Sequence, residues 1–156
     1  DRSSSTKIKD LKIGENHTIS IIPTKYQFPR VRNLPNKVNK IDLNQKIALI
    51  EDRWNPHIVA SLNGQDVKVA KVEGEFVWHA HDREDELFFV IKGCLEMQFR
   101  DKIEVLKPGQ IIVVPCGVEH RPVATEETWI MLLEPHGTDH TGGVKTPLRQ
   151  DQIKRI

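Results

Sequence analysis

The apolar residues of this chain change their spacing once, and the change divides it. From Ile41 to Ile50 they recur at helical intervals, with Leu43, Ile47 and Ile50 on one face and Asn39 or Asp42 available as a cap. One short helix is predicted there, broken by Asp52-Arg-Trp-Asn-Pro56. After it the chain reads as strand and turn. Ile58 to Leu62 and Asp66 to Val72 flank Asn63-Gly64, a dipeptide suited to the positive φ angles of a two-residue hairpin turn. Leu95 to Phe99 and Ile103 to Leu106 flank Arg100-Asp101-Lys102, a second hairpin, and Ile111 to Val114 and Thr128 to Leu133 are further strands. Ahead of the helix, Thr18 to Ile22 reads as one strand ended by Pro23, and Pro29 and Pro35 punctuate a basic connector. A lone strand needs a host sheet. The pattern thus predicts an N-terminal extension over residues 1–40 and a domain over residues 41–156. Regularly spaced short strands make that domain an all-β sandwich or barrel.

One stretch carries chemistry. In Gly74 to Gly93, His79 and His81 lie two residues apart behind Phe76, Val77 and Trp78. On a strand both imidazoles project to the same face. A charged turn, Asp82 to Asp85, leads to Glu86 and a second apolar run, Leu87 to Ile91, which can set Glu86 beside the histidine pair. His120 closes another punctuated segment that starts at Gly109 and passes through Pro115 and Gly117. Two histidines, a carboxylate and a further histidine on strands form a candidate site for a first-row metal. The same alternation turns Val77 inward and puts Phe76 and Trp78 on the opposite side. It also lines the interior with Phe88, Val90, Met97 and Phe99, a dry setting in which a cation polarises an oxygen ligand strongly.

The first segment, G-x4-H-x-H-x4-E-x6-G, resembles motif 1 of the cupins, and the second, G-x5-P-x-G-x2-H, resembles motif 2. The resemblance is to small single-domain cupins of the cupin_2 type, loosely called mannose-6-phosphate-isomerase-like. It extends from about Asn39 to the C-terminus. It implies a double-stranded β-helix (jelly-roll) cupin barrel preceded by one short helix. It also implies that His79, His81, Glu86 and His120 hold one divalent first-row transition metal: iron, manganese, nickel, cobalt or zinc. Two positions depart from the pattern. The gap from Gly74 to His79 is one residue short, and Ala124 stands where motif 2 often ends in Asn.

Four protein ligands close a tetrahedral zinc but leave two positions open on a six-coordinate metal. A small, oxygen-rich, chelating substrate fits those positions. Resemblance to quercetinase-like dioxygenase cupins implies oxygen chemistry, with isomerase- or lyase-type proton shifts beside it and Glu86 as the catalytic carboxylate. The alternative is a sensor that binds metal and ligand without turnover. A third reading is a purely structural metal site. Sugar-phosphate isomerase chemistry is disfavoured, because His79 stands where those isomerases typically carry Gln. Phe88 likewise stands where resembling lyases place a tyrosine base, and Tyr26, the only tyrosine, lies outside the barrel segment.

Charge and composition exclude more than they add. The 156 residues carry 23 Lys and Arg against 22 Asp and Glu, so no global field argues for nucleic acid or a membrane surface. No apolar run approaches the ~20 residues that cross a bilayer. A small-molecule partner and a cytoplasmic location are the expectations. The first residue is Asp, and Asp-Arg-Ser-Ser-Ser-Thr reads as the remnant of a removed leader or of cloning, outside the fold. Cys94 and Cys116 read as reduced side chains, and His17, His57, His136 and His140 as turn or loop residues. The Thr18 to Ile22 strand, with Phe76 and Trp78 facing away from the metal, predicts a homodimer.

Overall fold

A computed structural model describes residues 39–156. The expected strand Thr18 to Ile22 and the proline-punctuated connector lie outside the described residues. The helix forms as α1, Leu43–Ala48, shorter than the apolar spacing suggested. Asp42 is its cap: the backbone is extended there and the carboxylate accepts the Gln45 N–H at 3.1 Å. Ile47 and Ile50 are buried with Val59 and Val69, and Leu43, Val67, Trp129 and Met131 pack around them. Burial of each such side chain is worth about 1.5–3 kcal/mol, which holds a helix too short to stand alone.

Seven strands follow: β1 (His57–Leu62), β2 (Gln65–Glu75), β3 (Glu86–Lys92), β4 (Leu95–Phe99), β5 (Ile103–Leu106), β6 (Ile111–Val114) and β7 (His120–Pro135). All of their pairings are antiparallel. In the hairpin between β1 and β2, Asn63 and Gly64 both adopt positive φ, 51° and 80°, as the dipeptide predicted. β7 is the hub. One edge pairs with β2 from Gln65↔Pro135 to Glu75↔Val123. The other edge pairs with β3 near its C-terminal end and with β4 near its start. β1, β6 and β5 extend these partners, and the sheet curls into a jelly-roll barrel. β7 begins eight residues earlier than the Thr128 start that the sequence suggested. Pro122 and the exposed Glu126 disguise its first half.

Side chains alternate along β2 and β7 between two apolar layers. Val67, Val69, Trp129 and Met131 meet the helix, whereas Ala70, Val72, Ile130 and Leu132 join Phe88, Val90, Leu95 and Met97 inside the barrel. Two charged residues share the inner layer. Lys68 Nζ donates to Glu134 at 2.6 Å, and both side chains are at most 1% exposed. After β7 the chain turns through Thr138–Gly143 and returns to β1, where Ile58 and Ile156 join backbone to backbone. Cys94 and Cys116 are free thiols. No helix among the described residues is long and apolar enough to cross a membrane.

Candidate metal centre

His79 and His120 are tied through their main chains. The His79 N–H donates to the His120 carbonyl at 3.0 Å and the His120 N–H returns the bond at 2.9 Å. This bridge is isolated: the expected strand around His79 does not form, and an extended segment joins β2 to β3. Each ring is then oriented by the carbonyl two residues before it. His79 Nδ1 lies 3.0 Å from Val77 O and His120 Nδ1 lies 2.9 Å from Val118 O. A carbonyl only accepts, so Nδ1 carries the proton and Nε2 is left with its lone pair. Glu86 opens β3, and its Oε2 lies 3.3 Å from His81 Nε2 and 3.4 Å from His120 Nε2. One ligand atom from each of His79, His81, Glu86 and His120 falls within 4.8 Å of the others.

All four side chains are buried. His81 Nε2, His120 Nε2 and Glu86 Oε2 nevertheless have no well-aligned hydrogen-bond partner, only one another at 3.3–3.4 Å. A buried orphan costs about 1–3 kcal/mol. Three of them aimed at one point suit a cation, and three imidazoles with one carboxylate suit a first-row metal. Charge is arranged accordingly. Burial pushes the Glu86 carboxyl up, but the rings of His120 and His81 outweigh it and hold the group at about 2. Burial pushes His81 down, and Glu86 overrides that to raise it. His79 is lowered to about 4, by burial first and by His120 beside it second.

Beside this cluster lies a narrow cavity of about 30 Å³. Trp54, Phe76, Phe88, Ile130 and Leu132 supply most of its apolar wall, and His79, Glu86 and His140 supply its polar groups. A larger groove of about 900 Å³ lies around β5 and β6 and is lined by Val105, Ile111 and Val113 among others. It touches none of the four clustered residues, whereas the smaller cavity touches His79 and Glu86.

Residues 65–136 match the model of the cupin domain family, Cupin_2. A cupin-2 domain containing protein from Shewanella frigidimarina is 46% identical, with 62% of this chain and 94% of that one covered and a TM-score of 0.61. This protein is a cupin. Protein NMB1881 from Neisseria meningitidis is 30% identical over 62% of the cupin chain and 99% of its own, with a TM-score of 0.57. YdbB of Bacillus subtilis is 39% identical over 64 residues, which are 40% of the cupin chain. The match spans 57% of the length of YdbB, a curated relative.

The cupin brings its motif histidines and Glu86 together, but the cavity wall differs from the expected one. Phe88 lines it. Val90 and Met97 are fully buried in the inner core without reaching it. Val77 and Phe99 are half-buried against that core, and Phe99 belongs to the large groove. Phe76 takes the place expected of Val77, with its ring 5.3 Å from His79 and 5.0 Å from Trp54. The cause is loss of phase. β2 shifts register between Val72 and Gly74 and ends at Glu75, so Phe76 and His79 share a side although three positions separate them. Trp78 is covered by Arg100, 3.8 Å from its ring centre, and by Arg121. The two aromatics expected on a bare outer face are therefore a buried residue and a capped one. Sequence reasoning also missed Trp54, which has a φ of 57° and donates from its indole to Glu73 O, and His140. Neither lies in a periodic segment.

Proposed function

We propose that this cupin is a metal-dependent enzyme. Its one divalent first-row metal is held by His79, His81, Glu86 and His120, and it acts on a small, oxygen-rich, chelating organic molecule. The observation that carries this reading is the convergence of three orphaned buried atoms beside a cavity with apolar walls. A metal of this class, when bound, supplies Lewis-acid polarisation of a substrate oxygen. The protein supplies the rest. The Val77 and Val118 carbonyls fix the tautomers of His79 and His120, and Phe76, Phe88 and Leu132 exclude water, which strengthens every charge interaction inside. Glu86 is the one carboxylate among the described residues of the cavity wall, and it would move a proton to and from the substrate once it loosens from the metal. Dioxygenase chemistry is the leading assignment, and an isomerase- or lyase-type proton shift is the second.

Metal analysis and a substrate screen test this. Purified protein carries about one metal per chain, and His81→Ala and His120→Ala carry none. Stoichiometric metal in both variants rejects the ligand assignment. Iron-, manganese-, nickel- and zinc-loaded protein is then screened against enediols, diketones and flavonols, with and without oxygen. Tight binding without turnover in every metal form, retained in Glu86→Gln, makes the protein a sensor. We also propose a homodimer, supported by the exposed apolar side chains Ile103, Val105, Ile111 and Val113. Light scattering that gives a monomer mass at micromolar concentration rejects it.

A further inference from the structure

His140 belongs to no motif and to no ion pair, yet it is only 7% exposed and lines the same cavity as His79 and Glu86. Its two nitrogens are not equivalent. Nε2 lies 3.1 Å from the Leu148 carbonyl, which only accepts, so the ring proton sits on Nε2. Nδ1 is therefore a bare lone pair, and it is buried without any partner. Burial lowers the pKa of the ring, so it stays neutral and keeps that lone pair at physiological pH.

The loop that carries His140 is fixed to the metal-binding segment. A Cβ on Gly142 would lie 2.1 Å from the Ala80 carbonyl oxygen, between His79 and His81, so glycine permits the close approach. Thr141 donates from both its N–H and its hydroxyl to Asp139, which is paired with Arg149 at 3.1 Å. The Phe76 ring packs beside both histidines, its centre 5.3 Å from that of His79 and 6.1 Å from that of His140. His140 is thus held in register with the metal centre without being part of it. A buried acceptor in an otherwise apolar wall is costly unless a donor meets it.

We propose that His140 is a specificity residue, whose Nδ1 accepts a hydrogen bond from a hydroxyl of the substrate lying beyond the two oxygens that chelate the metal. The inference rests on the chelating-substrate reading above and narrows it. The ligand is a hydroxylated chelator with a donor pointing away from the metal, rather than a chelator with only an apolar remainder.

Two small probes that differ by that one donor test it: hydroxyacetone, and dihydroxyacetone with its additional hydroxyl. Binding to cobalt-loaded protein is followed by visible absorption, and the His140 Nδ1 resonance by nitrogen NMR of histidine-labelled zinc-loaded protein. Wild-type protein is expected to prefer dihydroxyacetone by roughly three- to tenfold, the range of one neutral hydrogen bond. Dihydroxyacetone alone is expected to shift the Nδ1 resonance. His140→Phe loses the preference with its metal content unchanged, and His140→Asn, which keeps an amide near the Nδ1 position, retains part of it. An unchanged preference in His140→Phe, or an Nδ1 signal indifferent to both probes, overturns the assignment of His140 alone. Failure of wild-type protein to take up metal, or to bind either probe, overturns the chelation reading and this inference with it.

Discussion

Two buried polar clusters share the interior of one barrel, and they are completed differently. Lys68 and Glu134, on the paired strands β2 and β7, meet at 2.6 Å, and Lys68 also reaches toward Thr138 O. Of this pair only Glu134 Oε2 lacks a partner. In the other cluster, three orphaned atoms face one another across 3.3–3.4 Å contacts that are not well-aligned hydrogen bonds. The first cluster contains a fixed counter-charge. The second has only imidazoles facing its one carboxylate, although strand register and carbonyl contacts fix its geometry. Burial alone does not separate a structural ion pair from a ligand site. Convergence of unsatisfied atoms does.

The sharpest way to break the comparison is to make the closed cluster resemble the open one. Lys68→Met strands Glu134 in the barrel and is expected to cost about 3–5 kcal/mol in urea unfolding at pH 8, whereas Lys68→Met with Glu134→Leu recovers most of it. The loss is smaller at pH 5. Burial first, and the charge of Glu86 second, raise Glu134 to about 7, above its ordinary 4.5. A carboxyl with a raised folded pKa contributes stability that is complete below about 4.5 and is lost as pH climbs through about 7. Equal losses in the single and double variants, or at both pH values, defeat this account.

The open cluster is the proposed metal site, and stability tests it. At a hundredfold excess over its dissociation constant, metal stabilises by about 2.7 kcal/mol, read as a shift in thermal midpoint. His120→Ala shows no shift, and neither does His81→Ala. A similar shift in either variant places the metal elsewhere. Gly142→Ala separates the loop from the centre: it is expected to cost about 2 kcal/mol from its left-handed backbone, to force a backbone shift at the Ala80 carbonyl besides, and to weaken metal retention. Unchanged retention removes the link between the His140 loop and the metal. The smallest effect belongs to the outer layer: Asp42→Ala costs about 1 kcal/mol through the lost cap and leaves metal content untouched.

What could be read from the chain follows the same division. The motif residues were legible because they stand at set spacings along the chain: Gly74 to His79, the Asp82 to Asp85 link before Glu86, and Pro115 to His120 around the turn at Cys116 and Gly117. Asn63-Gly64 and the Leu43, Ile47, Ile50 stripe were legible for the same local reason. The cavity wall was not. Phe76 faces inward because β2 slips register just before it, a tertiary event with no periodic trace. Lys68 lies between Val67 and Val69 on a strand covered on both faces, so no alternation marks it as internal. His140 sits in a turn, and only the approach of Gly142 to Ala80 brings it to the centre.

The hub position of β7 also bears on the order of assembly. His120 opens that strand, and its partner across the bridge, His79, belongs to a distant part of the sequence. The pairing that joins them is non-local, and non-local pairings carry a loop-closure cost that slows folding. An ion held by all four side chains, as proposed, would need most of the barrel in place before it could bind. It would then be expected to slow unfolding more than it changes the rate of folding.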